Sequence, residues 1–467
     1  MLEKILNNLK SKIEYDCYEI NGKIYKNTDL YKYVCNIYHY LINNNPNKEN
    51  VVVYGSKDIY MIASFLACSF AGITYIPIDK SFPEERKQNI INQVNPIFII
   101  DENIENIMNN NNFEEISEIY LKPEDTYYMI FTSGSTGVPK GVKISYENLN
   151  SCLEWLQEIV DAKGKIILNQ ANFSFDLSVA DIYLSLVSKS KHYVLEKSID
   201  QDYQKIFENV IKSKANIMVC TPSFIDLLLL DKSFCETNLS NLEQILFCGE
   251  KLSLNTVKKL KERFKNIKIT NSYGPTECTF AVTSCNINEE SEISIGYPKK
   301  NTKIYIVDEN LNKLADNEIG EILILGKSVG QGYLNNVPNN GYITFEGERA
   351  YLTGDLGYIK DEKIYCLGRK DTQIKLNGYR IELLEIENVL NKLGYVEKAI
   401  VTVKKKDESI KRIIAFIKLK ESIEEEKIKL DLEKILPKYM IPKIKIIDNI
   451  PLNNNGKCDI NKLLEEY

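Results

Sequence analysis

The residues best suited to chemistry lie at Thr132–Gly141, "TSGSTGVPKG", where ten positions hold three glycines, four hydroxyls, one proline and one lysine. They follow directly on "YYMIF", an apolar run that reads as a buried strand. Backbone N–H groups of a glycine-rich turn form a concave nest for anions, and hydroxyls add donors to phosphate oxygens. Thr132, Ser133, Gly134, Ser135, Thr136 and Gly137 are therefore candidate phosphate contacts, with Lys140 as an added positive charge. The G-x-x-x-x-G-K-[ST] P-loop does not fit: Gly134 and Gly137 are too close together, and Lys140 is followed by Gly141. A surface linker has no need to join Pro139, Lys140 and four hydroxyls straight after a buried strand.

Other chemistries are poorly supplied. The chain has only two histidines, His39 and His192, and its eleven cysteines form no C-x-x-C pair, which argues against zinc and for free thiols. With so few histidines the usual general base is scarce, so an enzyme here works by positioning and electrostatics. A net charge of -6 with scattered Lys and Arg excludes a nucleic-acid stripe. No apolar run reaches roughly 18 residues and the N-terminus has no signal-peptide core, so a cytoplasmic protein without membrane insertion is expected.

The elements that must hold the loop follow an alternating pattern. "VVVYGS", "TYIPID", "NPIFII", "YYMIF", "KIILNQ", "ANIMVCT", "QILFCG" and "KITNSYG" are short strand-like runs separated by helix-length segments. This predicts α/β layers with largely parallel sheets. From Ile293 to Tyr365 the texture becomes short strands and turns, predicting a β-rich subdomain. After "LGRKDTQIKLNGYRIE" the pattern predicts a helix over 382–393, strands over 398–403 and 413–418, and a helix over 424–436: a small α+β domain. At 467 residues the chain exceeds one ordinary core. The expected division is a core domain at 1–369, a hinge at 370–371 and a mobile C-terminal domain at 372–467.

"YYMIFTSGSTGVPKGVKIS" closely resembles the phosphate-loop signature of the adenylate-forming superfamily. "AGITYIPIDKSFPEER", "NSYGPTE", "GEILILG", "YLTGDLGY", "GRKDTQIKLNGYRIELLEIE" and "LNNNGK" follow in the family's order, so the resemblance runs from about Val51 to Lys457. It implies ATP as substrate, Mg²⁺ as cofactor, and attack of a carboxylate on the α-phosphate with release of pyrophosphate. By the same resemblance Thr132, Ser133 and Thr136 cradle the departing phosphates, and Thr276 and Glu277 contact the α-phosphate and Mg²⁺, with Thr136 a second metal contact. Tyr273 and Gly274 lie along the adenine, Asn271 near its exocyclic amine, Asp355 on the ribose hydroxyls and Arg369 on the sugar or phosphates. Lys457 stands between substrate carboxylate and α-phosphate as the catalytic lysine. Asp371 matches the hinge position about which the C-terminal domain rotates.

The resemblance also bears on which carboxylate is activated. Asp176 matches the acid that pairs with a substrate α-ammonium in the amino-acid branch; an N-cap for the following helix is its structural alternative. Leu177, Ala180, Val219, Leu246, Cys248, Ser272, Phe280 and Ala281 would line the side-chain pocket, which is apolar apart from Ser272 and Cys248. "FSFDLSVADIY", "CTPSF", "LFCGE" and "GPTECTFAVTS" are most similar to the branch that activates D-alanine for a carrier protein, in which a cysteine at the position of Cys248 helps select the D-isomer. Ala180 stands where that branch has methionine, and Phe280 where it has a small aliphatic residue. Another small or apolar amino acid is the alternative, and an acyl- or aryl-CoA synthetase a further one. No "GGxS"-like phosphopantetheine site occurs in the sequence, so a separate phosphopantetheinylated carrier protein in trans is expected, with Gly378 lining its pantetheine tunnel.

Overall fold

The computed structural model describes every residue except 135–137, 197–201, 289–290, 337–340, 407–408, 452–459 and 467. It divides into two compact units, residues 1–80, 94–130 and 141–370, and residues 81–93, 131–140 and 371–467.

The first unit is organised around a nine-stranded sheet. Its order is Tyr297–Pro298, Thr283–Asn286, Lys268–Tyr273, Gln244–Phe247, Ile217–Cys220, Ile166–Asn169, Lys191–Val194, Asp16–Ile20, Lys23–Lys26. From Lys268–Tyr273 through Asp16–Ile20 neighbouring strands run parallel, and both margins are antiparallel. Parallel strands covered by helices must be apolar on both faces. Ile217–Cys220 and Gln244–Phe247 meet this condition, being buried at every position. The Leu177–Ser188 helix is buried from Leu177 to Val187, so it is a core helix with no solvent face. A second sheet runs Phe98–Ile100, Val51–Gly55, Tyr75–Asp79, Thr126–Thr132, Lys140–Ser145, and its paired strands Phe98–Ile100, Val51–Gly55, Tyr75–Asp79 and Thr126–Thr132 are parallel. The β-rich stretch is a five-stranded antiparallel sheet of Thr302–Val307, Gly320–Gly326, Tyr342–Phe345, Glu348–Lys360 and Lys363–Arg369.

The second unit contains a hairpin, Gln373–Leu376 with Tyr379–Glu382, and a three-stranded sheet of Val396–Lys406, Ser409–Leu419 and Lys443–Ile446. Two helices, Leu383–Lys392 and Glu425–Glu433, bury Ile386, Leu390, Ile428 and Leu432 in its core. Here the structure corrects the sequence reading in detail. The two long strands extend beyond 398–403 and 413–418, because backbone pairing continues through polar and charged residues such as Lys404, Lys405 and Arg412 that show no apolar alternation. The parallel strand Lys443–Ile446 and the Gln373–Glu382 hairpin were not anticipated as elements. The hairpin turns on Asn377 and Gly378, at φ 52° and 82°, the two left-handed residues that a two-residue turn matching strand twist requires.

Among the described residues no helix is long and apolar enough to cross a membrane. The ten cysteines among them are all free thiols.

Candidate functional site

In the first unit, the strand Lys268–Tyr273 runs into "YGPTE", which closes as a single 3-10 turn at Thr276–Cys278. The turn presents two side chains in opposite roles. Glu277 is fully buried; its Oε1 accepts from the Tyr333 hydroxyl at 2.7 Å and its carbonyl from Gly330 N–H at 2.8 Å. The Thr276 hydroxyl donates to Asp176 Oδ2 at 2.6 Å. Asp176 occupies the N-cap position of the Leu177–Ser188 helix, yet its side chain makes no capping bond. The carboxylate is therefore directed to the threonine while still sitting at the positive end of the helix dipole. Of the two readings of Asp176, the side-chain cap is not adopted here.

Two of the residues expected to hold the nucleotide, Tyr273 and Arg369, lie against Asp355. The Tyr273 hydroxyl donates to Asp355 Oδ2 at 2.5 Å, and Arg369 Nη1 lies 3.6 Å from Oδ1. Asp355 and Arg369 are register partners in adjacent antiparallel strands, which fixes the pair through the backbone. Burial, followed by the Asp355 charge, pushes the Tyr273 phenol well above its ordinary value, so it stays a donor. Asn271 gives its amide nitrogen to Ser294 O at 2.8 Å, which leaves Oδ1 as the acceptor suited to an exocyclic amine.

The residues expected to line the side-chain pocket lie in the core of the first unit. Leu177, Ala180, Val219, Leu246, Cys248, Phe280 and Ala281 belong to one continuous buried cluster. Val219 and Leu246 are register partners on neighbouring strands. Ser272 is buried too, but its hydroxyl is committed to Phe247 O at 2.7 Å. Cys248 Sγ reaches Phe280 O at 3.8 Å. Gly274 allows a close backbone approach: a Cβ there would lie 2.6 Å from Ala281 Cα. Thr279 and Phe280 both take left-handed backbone, φ 60° and 70°, and Ala281 N–H bonds back to Thr279 O at 2.9 Å. Such a γ-turn around an aromatic residue is strained, and strain of this kind concentrates at ligand sites.

In the second unit Thr132 ends the strand Thr126–Thr132, and Ser133 Oγ donates to Arg380 O at 2.8 Å. Position 134 must be glycine, since a Cβ would sit 2.2 Å from Val138 O. Lys140 opens the next strand. Asp371 Oδ1 accepts from Gln373 N–H at 3.1 Å, an Asx-type turn just ahead of the hairpin that carries Gly378. Arg86 and Glu385 form an ion pair at 3.0 Å with side chains 4% and 2% exposed. Ser135, Thr136, Gly137 and Lys457 lie outside the described residues.

Sequence reasoning missed Tyr333, the partner of Glu277, whose only signal was its place in the glycine-containing "VGQGY". It also missed the strained turn at Thr279–Phe280, which no residue type announces. Among the described residues no three His, Cys, Asp or Glu side chains cluster as a metal site.

Comparisons with known proteins agree on the family. The AMP-binding enzyme model matches residues 22–334, and the AMP-binding enzyme C-terminal domain model matches residues 385–457. A D-alanine--D-alanyl carrier protein ligase of Bacillus velezensis is 39% identical over 90% of this chain and 90% of its own. The protein of that name from Listeria monocytogenes is 38% identical over 97% of this chain and 96% of its own. Among solved structures, a Vibrio cholerae adenylation domain in complex with glycyl-adenosine-5'-phosphate superposes with a TM-score of 0.88 at 21% identity, covering 99% of this chain and 97% of that one. An o-succinylbenzoate CoA synthetase from Bacillus subtilis gives 0.84 at 19% identity, covering 99% and 98%. At those identities the likeness concerns the fold. Taken with the matched length, the two family models and the curated relatives place this chain in the AMP-binding enzyme family.

Proposed function

We propose that this protein activates D-alanine with ATP, releasing pyrophosphate, and then passes the D-alanyl group to the phosphopantetheine thiol of a separate carrier protein. The observation that carries this reading is the 2.6 Å contact between Thr276 and Asp176. It sets a carboxylate fit for an α-ammonium beside the turn that also holds Glu277. Asp176 is half-buried, so its carboxylate is incompletely screened by water and gains from a positive charge beside it, which an amino acid brings. The apolar surroundings of Ala180, Val219 and Leu246 suit a methyl side chain, and the relatives named for D-alanine favour that amino acid over other small ones.

The chemistry then divides among the chain's own groups. Asp176 orients the ammonium so that the substrate carboxylate faces the α-phosphate; its oxygen forms the new P–O bond as the bond to pyrophosphate breaks. Asp355 accepts from the ribose hydroxyls, with Arg369 and Tyr273 holding its orientation. Ser133, the neighbouring loop residues and Lys140 take up charge on the leaving pyrophosphate. Lys457 stabilises the charge that develops between carboxylate and phosphate. Mg²⁺ commonly uses one or two protein carboxylates together with phosphate oxygens and water, so Glu277, with Thr136, is a fitting holder. When bound, the ion offsets repulsion between the two anions. In the second step the thiol sulfur attacks the acyl carbon and AMP leaves; Gly378 lines the approach of the pantetheine arm. The ATP substrate and the free thiols are in keeping with a cytoplasmic setting.

The test is ATP–pyrophosphate exchange with purified protein across a panel of D- and L-amino acids. Exchange strongest with D-alanine is expected; exchange with none of them, or strongest with an L-amino acid, overturns the reading.

A further inference from the structure

On the elements of the first unit that carry Ala180 and neighbour Val219 lies a polar cluster that the proposed reaction does not use. Asn169, Asp181 and His192 are each 0% exposed. They come from three elements: the end of the Ile166–Asn169 strand, the Leu177–Ser188 helix and the Lys191–Val194 strand. Asn169 Nδ2 donates to Asp181 Oδ2 at 2.9 Å, and His192 Nε2 stands 3.3 Å from Asp181 Oδ1. The Tyr18 ring meets the imidazole edge-on, centroids 5.0 Å apart. Asp181 Oδ1, Asn169 Oδ1 and both imidazole nitrogens lack a hydrogen-bond partner of good geometry.

A core built for stability alone does not place a carboxylate, an amide and an imidazole here, since a well-packed apolar set does as well or better. What such a group can add is register. The helix is otherwise buried mainly by apolar and small side chains, with one further polar tie from the Tyr183 hydroxyl to that of Tyr75 at 2.7 Å, on a different strand; apolar cores tolerate repacking, losing uniqueness before stability. The location of the cluster gives register a functional meaning. Asp181 directly follows Ala180 and lies on the helix that Asp176 precedes; Asn169 is the register partner of Val219. One tether thus joins the helix bearing the ammonium anchor to the strands forming the pocket floor.

We propose that Asn169, Asp181 and His192 are positioning residues for the amino-acid subsite. Asp181 pins the helix to the sheet, and Asn169 and His192 hold Asp181. This rests on the reading that Asp176 receives the substrate ammonium. A misplacement of about 1 Å at such an anchor is worth up to about a hundredfold in rate. The consequence falls first on the amino acid, because the proposed nucleotide residues lie on other elements and meet this helix through the bond from Thr276 to Asp176.

The experiment is exchange kinetics on full-length protein for the wild type, Asp181→Asn, and the triple variant Asn169→Leu, Asp181→Leu, His192→Leu, each with its thermal midpoint. Asp181→Asn is expected to raise KM for D-alanine about tenfold or more while KM for ATP stays within twofold. The triple variant is expected to keep its thermal midpoint within a few degrees and still show the raised D-alanine KM. An unchanged D-alanine KM in the folded triple variant, or equal rises for both substrates, overturns the proposal. If the triple variant does not fold, Asp181→Asn decides by the same criterion. Wild-type protein that fails with D-alanine refutes the functional reading instead, and the variants are then compared with whichever amino acid supports exchange.

Discussion

Asp176 shows how one side chain can satisfy two sequence readings and be assigned only by geometry. It begins a helix, but its carboxylate is turned to Thr276 rather than to the helix amides. Asp176→Ala should raise KM for the amino acid by about 30-fold or more, the scale of losing one partner of a desolvated charge pair, with KM for ATP changed little. Equal losses for both substrates in exchange kinetics would identify a merely structural role. Lys457→Ala should cut adenylation by about 10²–10³ with an unchanged circular dichroism spectrum; loss of thioester formation alone would remove its assigned part in the first step. The Cys248 thiol lies 3.8 Å from the Phe280 carbonyl, beside the left-handed pair Thr279 and Phe280. Cys248→Ala should narrow the D-over-L preference in exchange assays, and an unaltered ratio would take the residue out of stereochemical selection.

The elements explain why particular residues cannot be exchanged. Gly134 and Gly274 permit close backbone approaches that a Cβ would block, at the phosphate loop and at the pocket wall. In the second unit the Glu84–Val94 helix contributes Arg86 and the Leu383–Lys392 helix contributes Glu385 to a buried ion pair. Burial raises the Glu385 carboxyl above its ordinary value, and Arg86 opposes that rise. A raised value in the folded state means that the folded protein keeps this proton to higher pH than the unfolded chain. Its stabilising contribution is therefore greatest at low pH and is lost as pH rises through the folded value. Arg86→Met removes the opposing charge. The variant should lose about 3–5 kcal/mol at pH 8 and visibly less at pH 5, read by urea denaturation at both. A larger loss at pH 5 would show that the pair acts otherwise.

At the scale of the whole molecule, the chain divides at Lys370/Asp371, with residues 81–93 and 131–140 grouped with the C-terminal residues. Asp371→Pro locks φ near -65° at the expected hinge. Exchange should survive within a few fold, while transfer to the carrier protein falls by about a hundredfold. Transfer at the normal rate would mean that no rotation about this residue is needed.

Much of this protein was legible in the chain alone, for a physical reason. The glycine-rich loop, "YGPTE" and "TGD" are contiguous segments whose character depends on local backbone geometry, so residue order suffices to announce them. Strand alternation likewise announced the layered α/β plan. Only the tertiary structure decided what lies between distant segments. The bond of Asp176 to Thr276 spans 100 residues, that of Glu277 to Tyr333 spans 56, and the tether of Asp181 to Asn169 and His192 joins three elements. Such contacts leave no local mark in composition or periodicity, because they exist only once the sheet has set its strand order. The sequence by itself carried the ordered local motifs of the family; the fold decided which distant side chains meet, Asp176 with Thr276 and Glu277 with Tyr333.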